Sequence, residues 1–365
     1  MASSQAAEFW LCFRPFGDDS DAVRMVDAAR LAVVRDTAAR AREAGFSQIR
    51  LFATVDVDGL PVEWTSPSEV VGNVVAEAAL GLDTPVCYAG SGMPAMTSQD
   101  WSQVLATMQS GRAVANRVFS CDWVGVPSAR ALSVAVGEEV DNRFARRLRD
   151  DRTVDVVQFE RSARSLLDLD TPADLAVLAA CAEVESLQIG TELGTVIAQW
   201  RDALAPAIDR VAEAFETVTR HEDELMISGR VSGSDWSVVD RDTSCRVRVL
   251  AEERGLRTRG APARSLMASL YEFGGLDQFV LRLSSLCDAM LWDTRPFFSH
   301  LGWNPTRSDR FWSDLSRWDE IADSALRDLV HDLAPHRVLM GGHSLVAGGM
   351  LAGIDQAWTR RELSG

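Results

Sequence analysis

Two carboxylates lie two positions apart near the middle of the chain, where SLLDLDTPADLAVLA (165–179) contains Asp168 and Asp170. In an extended segment, residues two apart point to the same side. Two such carboxylates suit Mg²⁺, a hard cation that prefers oxygen ligands and that binds nucleotide phosphates. The alternative is structural: one Asp caps the helix that Thr171 and Pro172 begin, and the other is solvated.

A glycine-rich stretch, PVCYAGSGMPAMT (85–97), has the order of an apolar strand, glycines and a helix start. Gly90, Ser91 and Gly92 would offer backbone N–H groups near a helix N-terminus, which attract anions without any side-chain charge. The alternative is a tight turn that needs positive φ. Asp122, expected on a neighbouring strand, is a candidate catalytic carboxylate, and its alternative is a hydrogen-bonded structural role.

All 37 basic residues are arginine, so the chain contains no lysine. A phosphate-loop lysine, a Schiff-base lysine and a lysine general base are therefore excluded. The net charge of −16 disfavours binding to nucleic acid or to anionic membranes. Six widely spaced cysteines, no leader pattern and no long apolar run predict a cytoplasmic protein outside the membrane.

Two segments of the second half contain further candidates. Residues 241–264 hold seven arginines against three acidic residues, and Arg246 and Arg248 would share one strand face suited to phosphate or carboxylate. The alternative is a solvated face paired with acidic side chains. His343, between paired glycines in LMGGHSLVAGGM (339–350), is a candidate general base or phosphate contact. A close helix crossing made by those glycines is equally compatible with the pattern.

The first half alternates strand-like and helix-like segments, which predicts an α/β domain with a mostly parallel sheet and flanking helices. Strands are expected over 9–13, 49–55, 85–90, 113–126 and 154–160, and helices over 22–45, 68–82, 98–111, 141–151 and 171–184. After about residue 186 long amphipathic runs predict an all-helical domain, with a short hairpin near 236–250 as an option. The predicted domains are therefore 1–187 and 188–365.

Two segments resemble, in order and spacing, parts of the MobA-like nucleotidyltransferases, including the 2-phospho-lactate guanylyltransferase branch: PVCYAGSGMPAMTSQDW (85–101) and SLLDLDTPADLAVLA (165–179). The resemblance extends over about residues 8–185. It implies a glycosyltransferase-A-like domain that binds a nucleotide and uses Mg²⁺ for nucleotidyl transfer. It implies nothing about the second half of the chain.

The chain departs from the family pattern at two places. The family's loop after the first strand is glycine-rich and ends in Arg and Lys, whereas FRPFGDDSDAVRM (13–25) has one glycine and no lysine. Arg14 and Arg24 are the candidates to replace the missing charge, although a guanidinium is a broad fork and not a point charge. The family's metal-binding Asp falls on Gly92.

The leading hypothesis is a nucleotidyltransferase-like protein that binds a nucleotide or phosphorylated metabolite in cofactor or metabolite biosynthesis. Its expected site comprises metal ligands Asp168 and Asp170, catalytic residues Asp170, Asp122 and His343, and phosphate-binding residues Arg14, Arg24, Gly90, Ser91, Gly92, Arg246 and Arg248. The alternative is a catalytically inactive protein of this fold that acts as a ligand-binding or assembly subunit. The expected partner is a small molecule, and a homo-oligomer is compatible with the sequence.

Overall fold

The computed structural model describes residues 6–66, 69–137, 141–182, 187–253 and 263–364. The chain forms two compact units, and neither is continuous in the sequence. The first comprises Met1–Phe16, Asp27–Leu166 and Gly190–Thr195, and the second comprises Gly17–Val26, Leu167–Ile189 and Val196–Gly365. The sequence predicts instead a single division after residue 187.

The first unit is built around a seven-stranded sheet. Its strands are β1 (Glu8–Phe13), β2 (Gln48–Ala53), β3 (Val62–Trp64), β4 (Val86–Ala89), β5 (Ala113–Ala115), β6 (Trp123–Val126) and β7 (Val156–Gln158). Their order is β3-β2-β1-β4-β6-β5-β7, and neighbours pair in parallel except at β6, which is antiparallel to β4 and β5. The helices of this part of the chain are α1 (Asp21–Glu43), α2 (Val71–Ala78), α3 (Ser98–Gln109), α4 (Phe144–Asp151) and α5 (Ala163–Leu166).

The side chains of β1 show why this sheet is covered on both faces. Phe9, Leu11 and Phe13 lie in one hydrophobic core, whereas Trp10 and Cys12 lie in another. Successive strand residues point to opposite faces, so a strand that is apolar throughout must be buried on both sides. The predicted α/β class, with a mostly parallel sheet and flanking helices, is confirmed.

Residues 113–126 differ from the prediction of one long strand. They form the short antiparallel strands β5 and β6, joined by a turn that the Asn116 side chain organises. Its Oδ1 accepts hydrogen bonds from the backbone N–H groups of Arg117 and Asp122, at 2.9 and 3.0 Å. Asn side chains commonly bond to nearby backbone in turns, and this local chemistry breaks an otherwise apolar run.

The second unit contains a four-stranded sheet. Its strands, β8 (Glu224–Gly229), β9 (Arg246–Ala251), β10 (Ala289–Asp293) and β11 (Arg337–Gly341), pair in parallel in the order β11-β10-β8-β9. The helices from residue 172 onward are α6 (Pro172–Ala180), α7 (Thr191–Gln199), α8 (Arg201–Glu216), α9 (Gly233–Asp242), α10 (Leu266–Leu286), α11 (Arg295–Leu301), α12 (Arg307–Asp314), α13 (Ser324–Leu333) and α14 (Gly348–Ser364).

This region is mainly helical, as expected, but the all-helical prediction is corrected by its sheet. β8, β10 and β11 are short, largely buried apolar runs, and periodicity cannot separate such a strand from a buried helix segment. The hairpin considered near 236–250 is also corrected. These residues belong to α9 and β9, and β9 pairs in parallel with β8, so a βαβ unit occupies 224–251.

Within the described ranges, no helix combines the length and the apolar character that crossing a membrane requires.

All six cysteines are free thiols, and four of them are buried. Burial raises the pKa of the Cys181 thiol to about 12. A buried, protonated thiol of this kind packs as a small hydrophobic side chain.

Candidate functional site

In each sheet the strand order changes direction within a run of parallel strands. In the first unit β1 lies between β2 and β4, and in the second unit β8 lies between β9 and β10. Ligands of open α/β sheets bind outside the carboxyl ends of the strands at such a switch point. The loops that follow β1 and β4, and those that follow β8 and β10, are therefore the candidate ligand-binding loops.

Arg30 of α1 joins the two loops at the switch point of the first unit. Its Nη1 donates to the carbonyl oxygen of Arg14, just after β1, at 3.0 Å, and its Nη2 donates to Ser91 Oγ, just after β4, at 2.9 Å. Its guanidinium carbon lies 4.4 Å from the ring centre of Phe16, and its Nη1 lies 3.5 Å from Asp27 Oδ1. These contacts fix the position of a positive charge at the switch point.

Arg14 supplies a second guanidinium there. Its Nη1 donates to the carbonyl oxygen of Glu69. Arg14 Nε, Arg14 Nη2 and Arg30 Nε are buried and have no hydrogen-bond partner among the described residues. Buried donors are normally satisfied, and phosphate or carboxylate oxygens are the acceptors that match a guanidinium. Arg24, by contrast, is 60% exposed and forms an ion pair with Asp21 of the same helix.

The loop after β4 is held in place rather than open to solvent. Residues 91–96 are buried. The Gly90 N–H donates to the carbonyl oxygen of Asp122 at 3.1 Å. Arg40 Nη1 donates at 3.0 Å to two loop carbonyls, those of Pro94 and Met96. The Gly90 N–H is therefore already used within the fold, and Ser91 Oγ is bonded to Arg30.

α3 begins six residues after Gly92, and its N-terminus is capped by its own side chains. The Asp100 N–H donates to Thr97 Oγ1 at 3.2 Å, and the Thr97 N–H donates to Asp100 Oδ2 at 2.9 Å. Neither Gly90 nor Gly92 has a positive φ. The alternative of a turn that requires positive φ at these glycines is therefore corrected. Anion binding by the amides of Ser91 and Gly92 stays a prediction.

Asp122 takes the structural role that the sequence left open. Its Oδ2 accepts a hydrogen bond from Asn116 Nδ2 at 2.7 Å, and the same Nδ2 donates to the carbonyl oxygen of Ser165 at 3.1 Å. Asn116 is buried, so this network fixes the turn between β5 and β6. Asp122 belongs to the first unit, whereas the other expected carboxylates, Asp168 and Asp170, belong to the second.

The segment 168–170 alternates as predicted, because Leu169 is fully buried and the two aspartates are partly exposed. The Asp168 N–H donates to Ser344 Oγ at 3.0 Å. Among the described residues, no three His, Cys, Asp or Glu side chains are grouped so that they could hold a metal ion. A magnesium site on Asp168 and Asp170 alone, completed by phosphate oxygens and water, therefore stays a prediction.

Asp174 is the carboxylate that organises this segment. Its Oδ2 accepts hydrogen bonds from the Asp170 N–H, the Thr171 N–H and Thr171 Oγ1, at 3.0, 2.8 and 2.9 Å. Thr171 is the N-cap of α6 and Pro172 is its first residue, as predicted. Asp174 is 1% exposed, so these bonds fix the start of α6 and leave a substrate no access to the carboxylate.

The second unit contains two carboxyl groups with raised pKa values, the buried Asp174 and the half-buried Asp314. Burial, and after it the charge of Asp170, raise the pKa of Asp174 to about 7. Burial also raises the pKa of Asp314, in α12, well above its usual range, and the charge of Asp174 adds to this effect. Arg295 and Arg310 act in the opposite direction on Asp314. Like charges in a poorly solvated place favour a protonated carboxyl group.

Arg230 and Asp293 form an ion pair at the switch point of the second unit. Arg230 Nε and Nη2 donate to Asp293 Oδ2 and Oδ1, at 2.6 and 3.1 Å, and the Asp293 side chain is completely buried. Gly229, at the end of β8, has a φ of +136°, and a Cβ there would lie 2.3 Å from the Cβ of Asp293. The absence of a side chain at Gly229 lets β8 end directly against the end of β10.

The glycines around His343 support the packing interpretation. A Cβ at Gly341 would lie 3.0 Å from the Cβ of Ala173 in α6, and a Cβ at Gly349 would lie 3.0 Å from the Ser344 carbonyl oxygen. The chain therefore packs closely on its neighbours at both positions. His343 itself follows β11 and is half-buried.

Arg246 and Arg248 share an exposed face of β9, as predicted, and both pair with Glu224 of β8, at 3.6 and 3.2 Å. Glu224 and Arg246 are the first residues of their strands. The pair therefore lies at the amino edge of the sheet, away from the loops where ligands bind. Arg254, Arg257 and Arg259 of the same arginine-rich stretch lie outside the described residues.

Sequence reasoning missed Arg30 and Asp174. Arg30 lies inside a long amphipathic helix, and nothing in the local pattern marks it, because its partners are 16 and 61 residues away. The sequence did contain a signal for the role of Asp174, because Thr171 and Asp174 have the spacing of a capping box before an apolar run. That motif indicates a structural carboxylate instead of a metal ligand.

No protein-family model and no curated protein matches the chain. Among solved structures, the chain is similar to a protein described as a nucleotide-diphospho-sugar transferase from Desulfovibrio desulfuricans G20, with 16% identity and a TM-score of 0.42 over 55% of this chain and 97% of that one. It is also similar to Rv0371c from Mycobacterium tuberculosis H37Rv, with 14% identity and a TM-score of 0.35 over 48% and 96% of the two chains. A third similar structure is 4-diphosphocytidyl-2C-methyl-D-erythritol synthase from Anaerococcus prevotii DSM 20548, with 10% identity and a TM-score of 0.33 over 55% and 100%. Scores this low do not transfer an activity to this chain.

Proposed function

We propose that the chain binds a nucleotide or another phosphorylated small molecule at the carboxyl ends of β1 and β4, and that Arg14 and Arg30 neutralise its phosphate. The observation behind this proposal is the set of three buried guanidinium nitrogens without a partner among the described residues, Arg14 Nε, Arg14 Nη2 and Arg30 Nε. A buried donor left unsatisfied costs about 1–3 kcal/mol, and more for a charged group. A phosphate oxygen would satisfy such donors and balance their charge.

The surroundings of the two guanidinium groups support this ligand class. Asp27 is the acid paired with Arg30, and both of its carboxylate oxygens also accept hydrogen bonds from the Phe16 N–H, at 2.9 and 2.8 Å. Asp27 thereby orders the loop after β1 and offsets only part of the positive charge. Phe16 lies against the Arg30 guanidinium and adds an aromatic surface at the same place.

We propose binding, and not Mg²⁺-dependent nucleotidyl transfer, as the activity of this site. Transfer on the hypothesis from the sequence relies on the carboxylates Asp168, Asp170 and Asp122, and Asp122 is bonded instead to Asn116 at the turn between β5 and β6. Gly92 stands where the resemblance implies a metal-binding Asp, and it is buried in the loop after β4. A ligand-binding subunit of this fold, which the sequence left as the alternative, is therefore the preferred function. A cytoplasmic location stays a prediction from the sequence.

Titration calorimetry of the full chain with ATP, GTP, CTP and UTP, first in EDTA and then in Mg²⁺, tests the proposal. We expect at least one nucleotide to bind in EDTA, with an affinity that Mg²⁺ changes little. Arg14→Gln should weaken that binding by about tenfold or more, since a charged hydrogen bond contributes about 1.5–3 kcal/mol. Arg24→Gln is the matched control, because Arg24 is exposed and paired within its own helix.

Three results would overturn the proposal. The first is no binding of any nucleotide under either condition. The second is equal affinity in the Arg14→Gln and Arg24→Gln variants, when thermal unfolding shows that both are folded. The third is release of pyrophosphate in Mg²⁺, which would replace binding with nucleotidyl transfer.

A further inference from the structure

Two arginines of the second unit lie near the carboxyl edge of the four-stranded sheet. Arg295 is the first residue of α11 and comes two positions after the end of β10, and Arg310 belongs to α12. α12 packs against β11 and α6. Open α/β sheets bind ligands at this edge, beside the switch point between β8 and β10. The function proposed for the first unit uses neither arginine.

Arg295 reaches from the end of β10 to the end of β11. Gly342 is the residue after β11, and a Cβ there would lie 3.6 Å from Arg295 Nη2 and 3.2 Å from Thr171 Cγ2. The guanidinium therefore lies beside the backbone that follows β11, close to the start of α6. Arg295 is only half-buried, so a ligand can reach it from solvent.

The two guanidinium groups have no partner of their own. Within the described ranges, neither Arg295 nor Arg310 forms an ion pair or a hydrogen bond through its side chain. Arg310 Nε is moreover buried. Buried donors are normally satisfied, and the oxygens of an anion are the acceptors that match a guanidinium.

The charges of these arginines act on each other. Burial, and after it the charge of Arg295, lower the pKa of Arg310. The charge of Arg307 acts in the same direction, and that of Asp314 opposes it. Like charges that are close together in a partly buried place are unfavourable. A bound anion would remove this repulsion.

The carboxyl groups of this region leave the two arginines without a counter-ion. Asp293 is completely buried and already holds two hydrogen bonds from Arg230. Asp174 is 1% exposed and is bonded to the start of α6. Burial raises the pKa of Asp314 well above its usual range, which favours its neutral form. Asp170 is partly exposed, so solvent screens its charge.

We propose that Arg295 and Arg310 bind the phosphate group of a small molecule at the carboxyl edge of the four-stranded sheet. A phosphate dianion matches the two positive charges, and its oxygens can accept hydrogen bonds from guanidinium groups that belong to two different helices. A carboxylate has one charge and two oxygens, which a single guanidinium satisfies. This site is additional to the one proposed for the first unit, and neither proposal depends on the other.

Titration calorimetry with inorganic phosphate and with acetate tests this inference on the full chain, at a pH where phosphate is mostly the dianion. The starting protein is the Arg14→Gln variant, so that the phosphate site proposed for the first unit is weakened. We expect phosphate to bind at millimolar concentration, at least about tenfold more tightly than acetate, because it alone carries two charges. No binding of phosphate, or equal binding of acetate, would overturn the proposal.

Two further substitutions locate the site. Added to Arg14→Gln, either Arg295→Gln or Arg310→Gln should weaken phosphate about tenfold or more, since charged hydrogen bonds are lost. Arg282→Gln, at an exposed position of α10, is the matched control and should leave phosphate binding unchanged. Phosphate binding that survives Arg295→Gln, or that falls equally in Arg282→Gln, contradicts the proposal.

Thermal unfolding separates a ligand-binding arginine from a structural one. Phosphate should raise the unfolding temperature of the Arg14→Gln protein, and the further change Arg310→Gln should remove this rise. Without phosphate, Arg310→Gln should unfold at the same or a higher temperature, because a buried donor without a partner is removed. A lower unfolding temperature, together with an unchanged effect of phosphate, would show that Arg310 serves only the fold. That pair of results refutes the proposed site.

Discussion

Arg30 Nη2 lies 2.9 Å from Ser91 Oγ, so one side chain of α1 reaches the loop that follows β4. The same guanidinium bonds to the carbonyl oxygen of Arg14 after β1, and its side chain is only 13% exposed. A partly buried, multiply bonded arginine holds both loops of the switch point in one arrangement. The position of the candidate site thus depends on a residue that is far from both loops in sequence.

Replacing Arg30 should loosen these two loops. Arg30→Met keeps the apolar stem but leaves two acceptors without their donor, so we expect the free energy of unfolding to fall by about 1–3 kcal/mol. Arg35→Met is the control on the same helix, because Arg35 is 38% exposed and its nearest ion pair, with Glu192, is long at 3.7 Å. Urea unfolding of both variants measures the difference. Equal losses would show that the bonds of Arg30 are not stabilising.

Gly229 and Gly233 lie at opposite ends of the same short loop but should tolerate alanine very differently. Gly229→Ala places a Cβ at a φ of +136° and 2.3 Å from the Cβ of Asp293. We expect this variant to lose about 2–4 kcal/mol of unfolding free energy, from backbone strain and overpacking together. At Gly233 nothing lies within 4 Å of the added Cβ, so Gly233→Ala should be near neutral. Thermal unfolding that ranks the two variants the other way would refute this account.

The stability of the second unit should depend on pH through Asp174. Its pKa is raised to about 7 in the folded state, mainly by burial and then by the charge of Asp170, whereas an unfolded Asp titrates near pH 3.9. The folded state therefore binds more protons between these values, and this contribution is present at low pH and lost as the pH rises through 7. Asp314, whose pKa is also raised, acts in the same direction.

The Asp174→Asn variant tests this dependence, because the amide oxygen can still accept the hydrogen bonds at the start of α6. Between pH 4 and pH 8, the wild type should lose on the order of 2–4 kcal/mol of unfolding free energy relative to the variant. Urea unfolding across this range measures the change. Parallel curves for the two proteins would show that Asp174 titrates normally.

The arginines of β9 should matter little for either stability or binding. Arg248 is 51% exposed and pairs with Glu224 at 3.2 Å. Such a surface pair contributes about 0–1 kcal/mol, so Arg248→Ala should change the unfolding free energy by no more than that. The variant should also bind nucleotides like the wild type. A loss of nucleotide binding in calorimetry would place the phosphate site at the amino edge of the second sheet.

Local patterns were enough for elements with clear end signals. α1 begins and ends within two residues of the prediction, and Gly45 adopts a positive φ of +103° after it. α6 begins one residue after the predicted start, because Thr171 with Pro172 starts it. The sheet of the second unit was missed for a physical reason. Its buried strands have no alternation of apolar and polar residues, so only their pairing with distant strands identifies them as a sheet.

The sequence by itself determined the chemistry that is available: no lysine, arginine as the only permanent cation among the side chains, and a helix that starts at Thr171 after two aspartates. These are properties of residue types and of neighbours along the chain. Only the tertiary structure decided which groups meet. It placed Arg30 beside Ser91, brought Arg295 beside Gly342 and paired Arg248 with Glu224, since such contacts form between residues that are far apart in sequence.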